Sequence, residues 1–317
     1  MGGFPQSDEE VSSAEDFIKR LLDRPPGISE PDFRSPWVYR GHGDANWELK
    51  PPAWRPDGRQ KLKPVLDYFR PKFTSIYNQG EGNLNRVETY RESEIGRCTQ
   101  IVAEVFAVYQ FCQLADELGL SIPGGEIILE LELEDLVGRV FSGYQSMPQI
   151  SSTITSTITE LFPPPPFAFA QHHGIPTRFL DWTRDPLMAA WFAADSACNN
   201  SEGKICVWAT NSKVKPPNTQ WVTVPRHAHS YLHAQHGIFS LTGGDFTETV
   251  GQQDVWPTFN DCGNEAHRLS LPQSEVPKLL RLLYEKRISK AHLMPTFDSV
   301  GATVQSLWRW LPSSPKL

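Results

Sequence analysis

A carboxamide, two imidazoles, two hydroxyls, two guanidiniums and two carboxylates crowd into the run QHHGIPTRFLDWTRDPLMAAWFAA, from Gln171 to Ala194. Gln171, His172, His173, Thr177, Arg178, Asp181 and Thr183 are the residue types that bind polar ligands or move protons. The run then reads Asp185-Pro186, an N-cap residue followed by proline at the first helical position, which predicts a helix start. From Leu187 to Ala194 the residues are apolar nearly all round, so this helix belongs in a core. Polar groups gathered at the amino end of a buried helix are costly unless they are paired or used. Two readings follow: a ligand pocket at the helix start, or a satisfied structural hydrogen-bond network.

Two shorter stretches carry compatible chemistry. Tyr39-Arg40-Gly41 places an arginine at the end of a brief strand, where it suits a phosphate or a ribose. His233-Ala234-Gln235-His236-Gly237-Ile238-Phe239 places a carboxamide at the start of a strand, where it can donate to and accept from sugar hydroxyls. Gly237 is expected where backbones approach closely. His229, His233 and His236, with His227 nearby, share a helical face at spacings of four and three. Their segment has no acidic residue and no HExxH, so no stoichiometric metal is expected. No glycine-rich phosphate loop, nucleophile elbow or catalytic triad stands out. The ten tryptophans are scattered, and Trp182, Trp191 and Trp208 lie in apolar context that assigns them to the core.

The elements that must position these residues come from a chain of 317 residues, enough for one large domain or two tightly joined ones. With 39% hydrophobic and 21% charged residues it is globular. A net charge of −7 argues against broad electrostatic capture of nucleic acid or anionic membrane. Cys98, Cys112, Cys198, Cys206 and Cys262 are far apart and odd in number, as expected for buried thiols of a cytoplasmic protein. No signal peptide, membrane span or myristoylation site is expected.

Along the chain, disorder is expected to residue 11. A capping box at Ser13–Asp16 then opens a short amphipathic helix, which Pro25-Pro26-Gly27 ends. Trp37–Tyr39 is a strand leading into a donor-rich turn, Arg40-Gly41-His42-Gly43, and then a proline-punctuated loop to Arg55. A helix is expected near Leu62–Phe69, a long one over 92–118 with Gly119 as C-cap, and another over 126–141. Ser151–Thr159 is ambiguous, and Pro163–Pro166 reads as a rigid connector. Later strands are expected at 204–209, 222–224, 236–241, 267–271 and 288–294, with helices at 276–286 and 304–311. The picture is α+β, with helices first and then a small mixed or antiparallel β-core.

Three motifs now stand in order: Tyr39-Arg40-Gly41 with Trp47-x-Leu49-x-Pro51 and Arg55, the 171–194 run, and Ala234-Gln235-x-Gly237-x-Phe239. Together they resemble the FRG-domain family, over roughly residues 37–297. The departures are Tyr39 in place of Phe, His173 where Tyr is commoner, and a divergent segment at Pro295–Asp298. The resemblance implies a 1–30 tail with a short helix, then a single domain over 31–311 with helical insertions. The order of the motifs looks in turn like the layout of ADP-ribosyltransferases, an analogy at the level of fold. It implies a cytoplasmic NAD-dependent ADP-ribosyltransferase or NAD glycohydrolase, a toxin or defence effector with NAD as substrate and a protein or nucleic-acid acceptor. Arg40, Gly41, His172, Thr177, Arg178, Gly237 and Phe239 would bind NAD, and Thr183, Asp181 and Gln235 would act on it. A neutral Gln235 cannot stabilise a cationic ribose as a carboxylate does, so Asp181 is the reserve for that charge. The alternatives are a non-catalytic nucleotide- or protein-binding module of the same fold, and a metal-dependent hydrolase built on the histidines.

Overall fold

The computed structural model describes residues 8–23, 36–80, 88–130, 132, 137–138, 140, 164–197, 203–214, 219–224, 237–242, 259 and 266–308. Ser13 opens helix α1 (Ala14–Leu22) by accepting a hydrogen bond from the Asp16 N–H at 3.2 Å, which satisfies one of the amides a helix start leaves unpaired. Phe17, Ile18 and Leu21 then face the core. For residues 8–11 the expected disorder is corrected, and residues 1–7 lie outside the described residues. Glu9–Glu10 form strand β1, parallel to β7 (His267–Pro272), with Glu9 paired to Arg20 at 2.6 Å and Glu10 to Lys204 at 2.7 Å.

Helices α2 (Pro56–Gly80) and α3 (Glu88–Glu117) pack side by side. The α3 spacing holds, since Ile95, Cys98, Ile101, Val102, Val105, Val108 and Cys112 are all buried with Phe69 and Phe73 of α2. Gly119 ends this segment with φ +70°, and the Leu120 N–H returns to the Ala115 carbonyl at 2.8 Å. Helix α2 runs far beyond the expected Leu62–Phe69, because most of its surface is solvated and gives no apolar pattern to read. Helix α4 (Gly125–Leu129) replaces the start of the helix expected over 126–141. Much of the rest of that span, and Ser151–Thr159, lie outside the described residues. The proline connector is also corrected: Pro164–Pro166 form the first turn of helix α5 (Pro164–His172), where a missing N–H costs nothing.

The described strands form one seven-stranded sheet in the order β1-β7-β4-β2-β3-β6-β5, antiparallel except for β1 with β7. Its other members are β2 (Trp37–His42), β3 (Phe179–Thr183), β4 (Lys204–Asn211), β5 (Thr219–Val222) and β6 (Gly237–Thr242). Arg40, Gly41 and His42, expected in a turn, are strand residues opposite Trp208, Val207 and Cys206. Residues opposite one another in antiparallel strands share a face. One face therefore carries Tyr39, Val207, Ala209 and Leu269 beneath α1, α6 (Pro186–Asp195) and α7 (Val276–Glu285). The same face carries Phe179, Phe239 and Leu241 beneath α3 and α5. Val38, Leu180, Trp182, Cys206, Trp208 and Ile238 fill the other face with Leu49 and Phe259.

The strand expected at 288–294 is helix α8 (Lys290–Leu293), followed by α9 (Phe297–Trp308). A short apolar run does not by itself separate helix from strand. The architecture is α+β. Among the described residues no helix is long and apolar enough to cross a membrane.

Candidate functional site at the opening of the sheet

The sheet parts in its middle. Strand β2 is in register with β4 over six residue pairs and β3 with β6 over five, but β2 and β3 share one, Tyr39 with Thr183. Beyond that pair the Asp181 carbonyl has no strand partner on the β2 side, and the Arg40 side chain supplies one. Its Nη1 donates to the Asp181 carbonyl at 2.7 Å and lies 2.6 Å from the Asp181 carboxylate Oδ1. A side chain thus does the work of a ladder hydrogen bond, in keeping with the demand that backbone polar groups be paired.

His42 steadies that arginine. Arg40 Nε can only donate, so His42 Nε2 accepts from it at 3.0 Å, and Nδ1 carries the proton toward the Trp47 carbonyl at 3.2 Å. Burial, followed by the charges of Arg40 and Arg55, pushes the imidazole down to about 3, so it is neutral at physiological pH. The unfolded chain protonates this histidine near pH 6.5 and the native state does not. Its contribution to stability is therefore complete above about pH 6.5 and is lost as pH falls toward 3. We expect wild type to lose about 2 kcal/mol more than His42→Gln between pH 7 and pH 4.5, read by urea unfolding at each pH. Equal losses would show that His42 titrates normally.

Asp181 is the accessible member, its side chain 56% exposed. Desolvation by the surrounding protein opposes its ionisation. The charge and hydrogen bond of Arg40 and the charge of Arg55 outweigh that and hold the carboxyl below its usual range. Gln171 Nε2 donates to Asp181 Oδ1 at 3.3 Å, which turns its Oε1 to accept from the Thr177 hydroxyl at 2.5 Å. The Thr177 carbonyl accepts from the Ala53 N–H at 3.1 Å. Gln100 links the Ala53 carbonyl, at 3.3 Å, to Glu104, at 3.0 Å. A continuous polar network therefore runs from the opening into the core, where Arg178 and Glu104 form a two-pronged ion pair at 2.8 and 3.2 Å.

Of the residues singled out from the sequence, Arg40, Asp181 and Thr177 come together here. Arg178 is enclosed against Glu104. The buried Thr183 hydroxyl accepts from the Asp185 N–H at 3.1 Å, and Asp185 caps α6 by accepting from Leu187 and Met188. Gly41 lies against α6, where a Cβ would come within 1.9 Å of the Ala189 carbonyl oxygen. Phe239 is buried edge-on to Phe179, their rings 5.9 Å apart. His172 is exposed at the end of α5, against the His173 ring at 5.3 Å. Gly237 pairs with Thr183, and among the described residues a Cβ there would meet the Trp182 carbonyl at 4.0 Å, an ordinary contact. Gln235 and the histidines at 227, 229, 233 and 236 lie outside the described residues.

Sequence reasoning passed over Arg55 and His42 as site residues. Arg55 could have been found from its place at the end of the Trp47–Pro51 motif. His42 could have been found from its i+2 spacing to Arg40, which puts the two on one side of a strand. Among the described residues no cluster of His, Cys, Asp and Glu could hold a metal ion. A separate cavity of about 630 Å³, lined by Glu10, Asp16, Lys19, Arg20 and Asp23, shares no residue with the opening and mixes both signs of charge.

No curated protein and no solved structure matches the chain. A family model described as the FRG domain matches residues 132–202, a span that includes Gln171, Thr177, β3 and α6. The chain is thus similar to the FRG domain over that span, and its Tyr39-Arg40-Gly41 motif packs against the strand and helix the span contains.

Proposed function

We propose that the opening between β2 and β3 binds NAD and that the protein is an ADP-ribosyltransferase or NAD glycohydrolase. The supporting observation is Asp181: an accessible carboxylate, ionised at neutral pH and fixed in place by Arg40. Breaking the bond between ribose C1′ and the nicotinamide nitrogen sends the bonding pair to the ring, which leaves as neutral nicotinamide. The positive charge passes to the ribose, and a fixed carboxylate beside it lowers the barrier. Water or an acceptor nucleophile then bonds to C1′ and loses its proton. In this reading Arg40 and His42 hold the carboxylate still, while Gln171 and Thr177 fix its other side.

The test is nicotinamide release from NAD. Asp181→Asn keeps the shape and removes the charge, so turnover is expected to fall about a hundredfold or more while NAD binding changes little. A variant turning over at the wild-type rate would sink the reading. One observation favours the non-catalytic alternative: Arg40 already neutralises Asp181 at 2.6 Å. In that case calorimetry would detect a bound nucleotide with no nicotinamide released.

A further inference from the structure

The charge of a second arginine, Arg55, acts on His42, Arg40 and Asp181 alike, and so reaches the opening. Arg55 stands immediately before α2, and its side chain is anchored through Nε to the Lys50 carbonyl at 2.8 Å. Its Nη2 is buried and has no hydrogen-bond partner among the described residues. A charged donor left in that condition is costly, and such an atom calls for an acceptor. The charges around it do not supply one. Burial and then the repulsion of Arg40 push the Arg55 guanidinium down to about 10, while Asp181 and Asp57 pull the other way. Asp181 directs its Oδ1 to Arg40 and Gln171, and His42 is neutral. Two guanidiniums thus share one carboxylate, and the opening is left with excess positive charge.

Arg40 is ill placed to serve the ligand. Its Nε is held by His42, and its Nη1 by the backbone and side chain of Asp181. Arg55 has one nitrogen anchored and Nη2 unbonded, and the residue is partly exposed. The planar fork of a guanidinium matches two oxygens of a phosphate.

We propose that Arg55 is the residue that grips a phosphate group of a nucleotide bound in the opening, and that Arg40 positions Asp181. This builds on the reading of the opening as a nucleotide site, but it requires no catalysis. Calorimetry with ADP-ribose, adenosine and inorganic phosphate separates the possibilities. Wild type should bind ADP-ribose, and Arg55→Gln should bind it ten- to a hundredfold more weakly, with any adenosine binding unchanged. Arg55→Lys keeps the charge without the fork and should fall between the two. Thermal melts establish that each variant is folded. Unchanged ADP-ribose affinity in folded Arg55→Gln overturns the assignment, as does inorganic phosphate binding as tightly as ADP-ribose. Binding that depends on Arg55 in a protein releasing no nicotinamide would leave this inference standing while the enzyme reading fell. Nicotinamide release with a KM indifferent to Arg55 would do the reverse.

Discussion

Arg178→Ala is expected to remove about 3–5 kcal/mol of stability, a large share of what a domain possesses. The Glu104 side chain is 0% exposed and that of Arg178 2%, so truncation strands a carboxylate in the core with Gln100 as its remaining side-chain donor among the described residues. Urea unfolding should show a lower midpoint at an unchanged slope. Replacing both partners by apolar residues of similar volume should recover most of the loss, because the penalty lies in the unpaired charge. A shift below about 1 kcal/mol for the single variant would mean that the pair is hydrated in solution. On the proposed NAD reading, nicotinamide release should fall with stability here, since the same network reaches Asp181 through Thr177 and Gln171.

Gly41→Ala is expected to cost about 3 kcal/mol or more, the upper end of what overpacking does, because the obstacle is backbone. The added methyl would lie 1.9 Å from the Ala189 oxygen and 2.6 Å from the Ala193 nitrogen. Either α6 withdraws from the sheet or β2 leaves its register with β4. Arg40 and His42 flank this glycine, so the displacement would carry the Arg40–Asp181 contact with it. Gly96→Ala in α3 is the matched control, since among the described residues nothing lies within 4 Å of its added carbon. It should be neutral or stabilising by about 0.5–1 kcal/mol. A melting temperature for Gly41→Ala equal to that of the control would refute the packing argument.

The parts of this architecture that depend on neighbours in sequence could be read in advance. The Ser13 and Asp185 caps, the Gly119 stop and the apolar spacing of α3 are local, and each is where its pattern puts it. What failed was non-local. Arg-Gly-His-Gly has the composition of a turn, and only the approach of α6 explains a glycine inside β2. Arg178 looked like a ligand residue because its partner Glu104 lies 74 positions away. A strand of two residues such as β1 exists through pairing with β7, which no window around Glu9 contains. For the site, the motifs marked Arg40, Thr177 and Asp181. The split between Arg40 as a brace and Arg55 as a donor needed the geometry of the opening.

A backbone hydrogen bond is present whatever the side chain, so the grip of one strand on the next is ordinarily beyond the reach of substitution. Where β2 and β3 diverge, that grip passes through the Arg40 guanidinium. Past the Tyr39–Thr183 pair, the direct tie between the two strands is therefore one that a substitution can alter. Shortening that one side chain loosens the junction without breaking a rung elsewhere. Pairing by main chain alone offers no such point of adjustment.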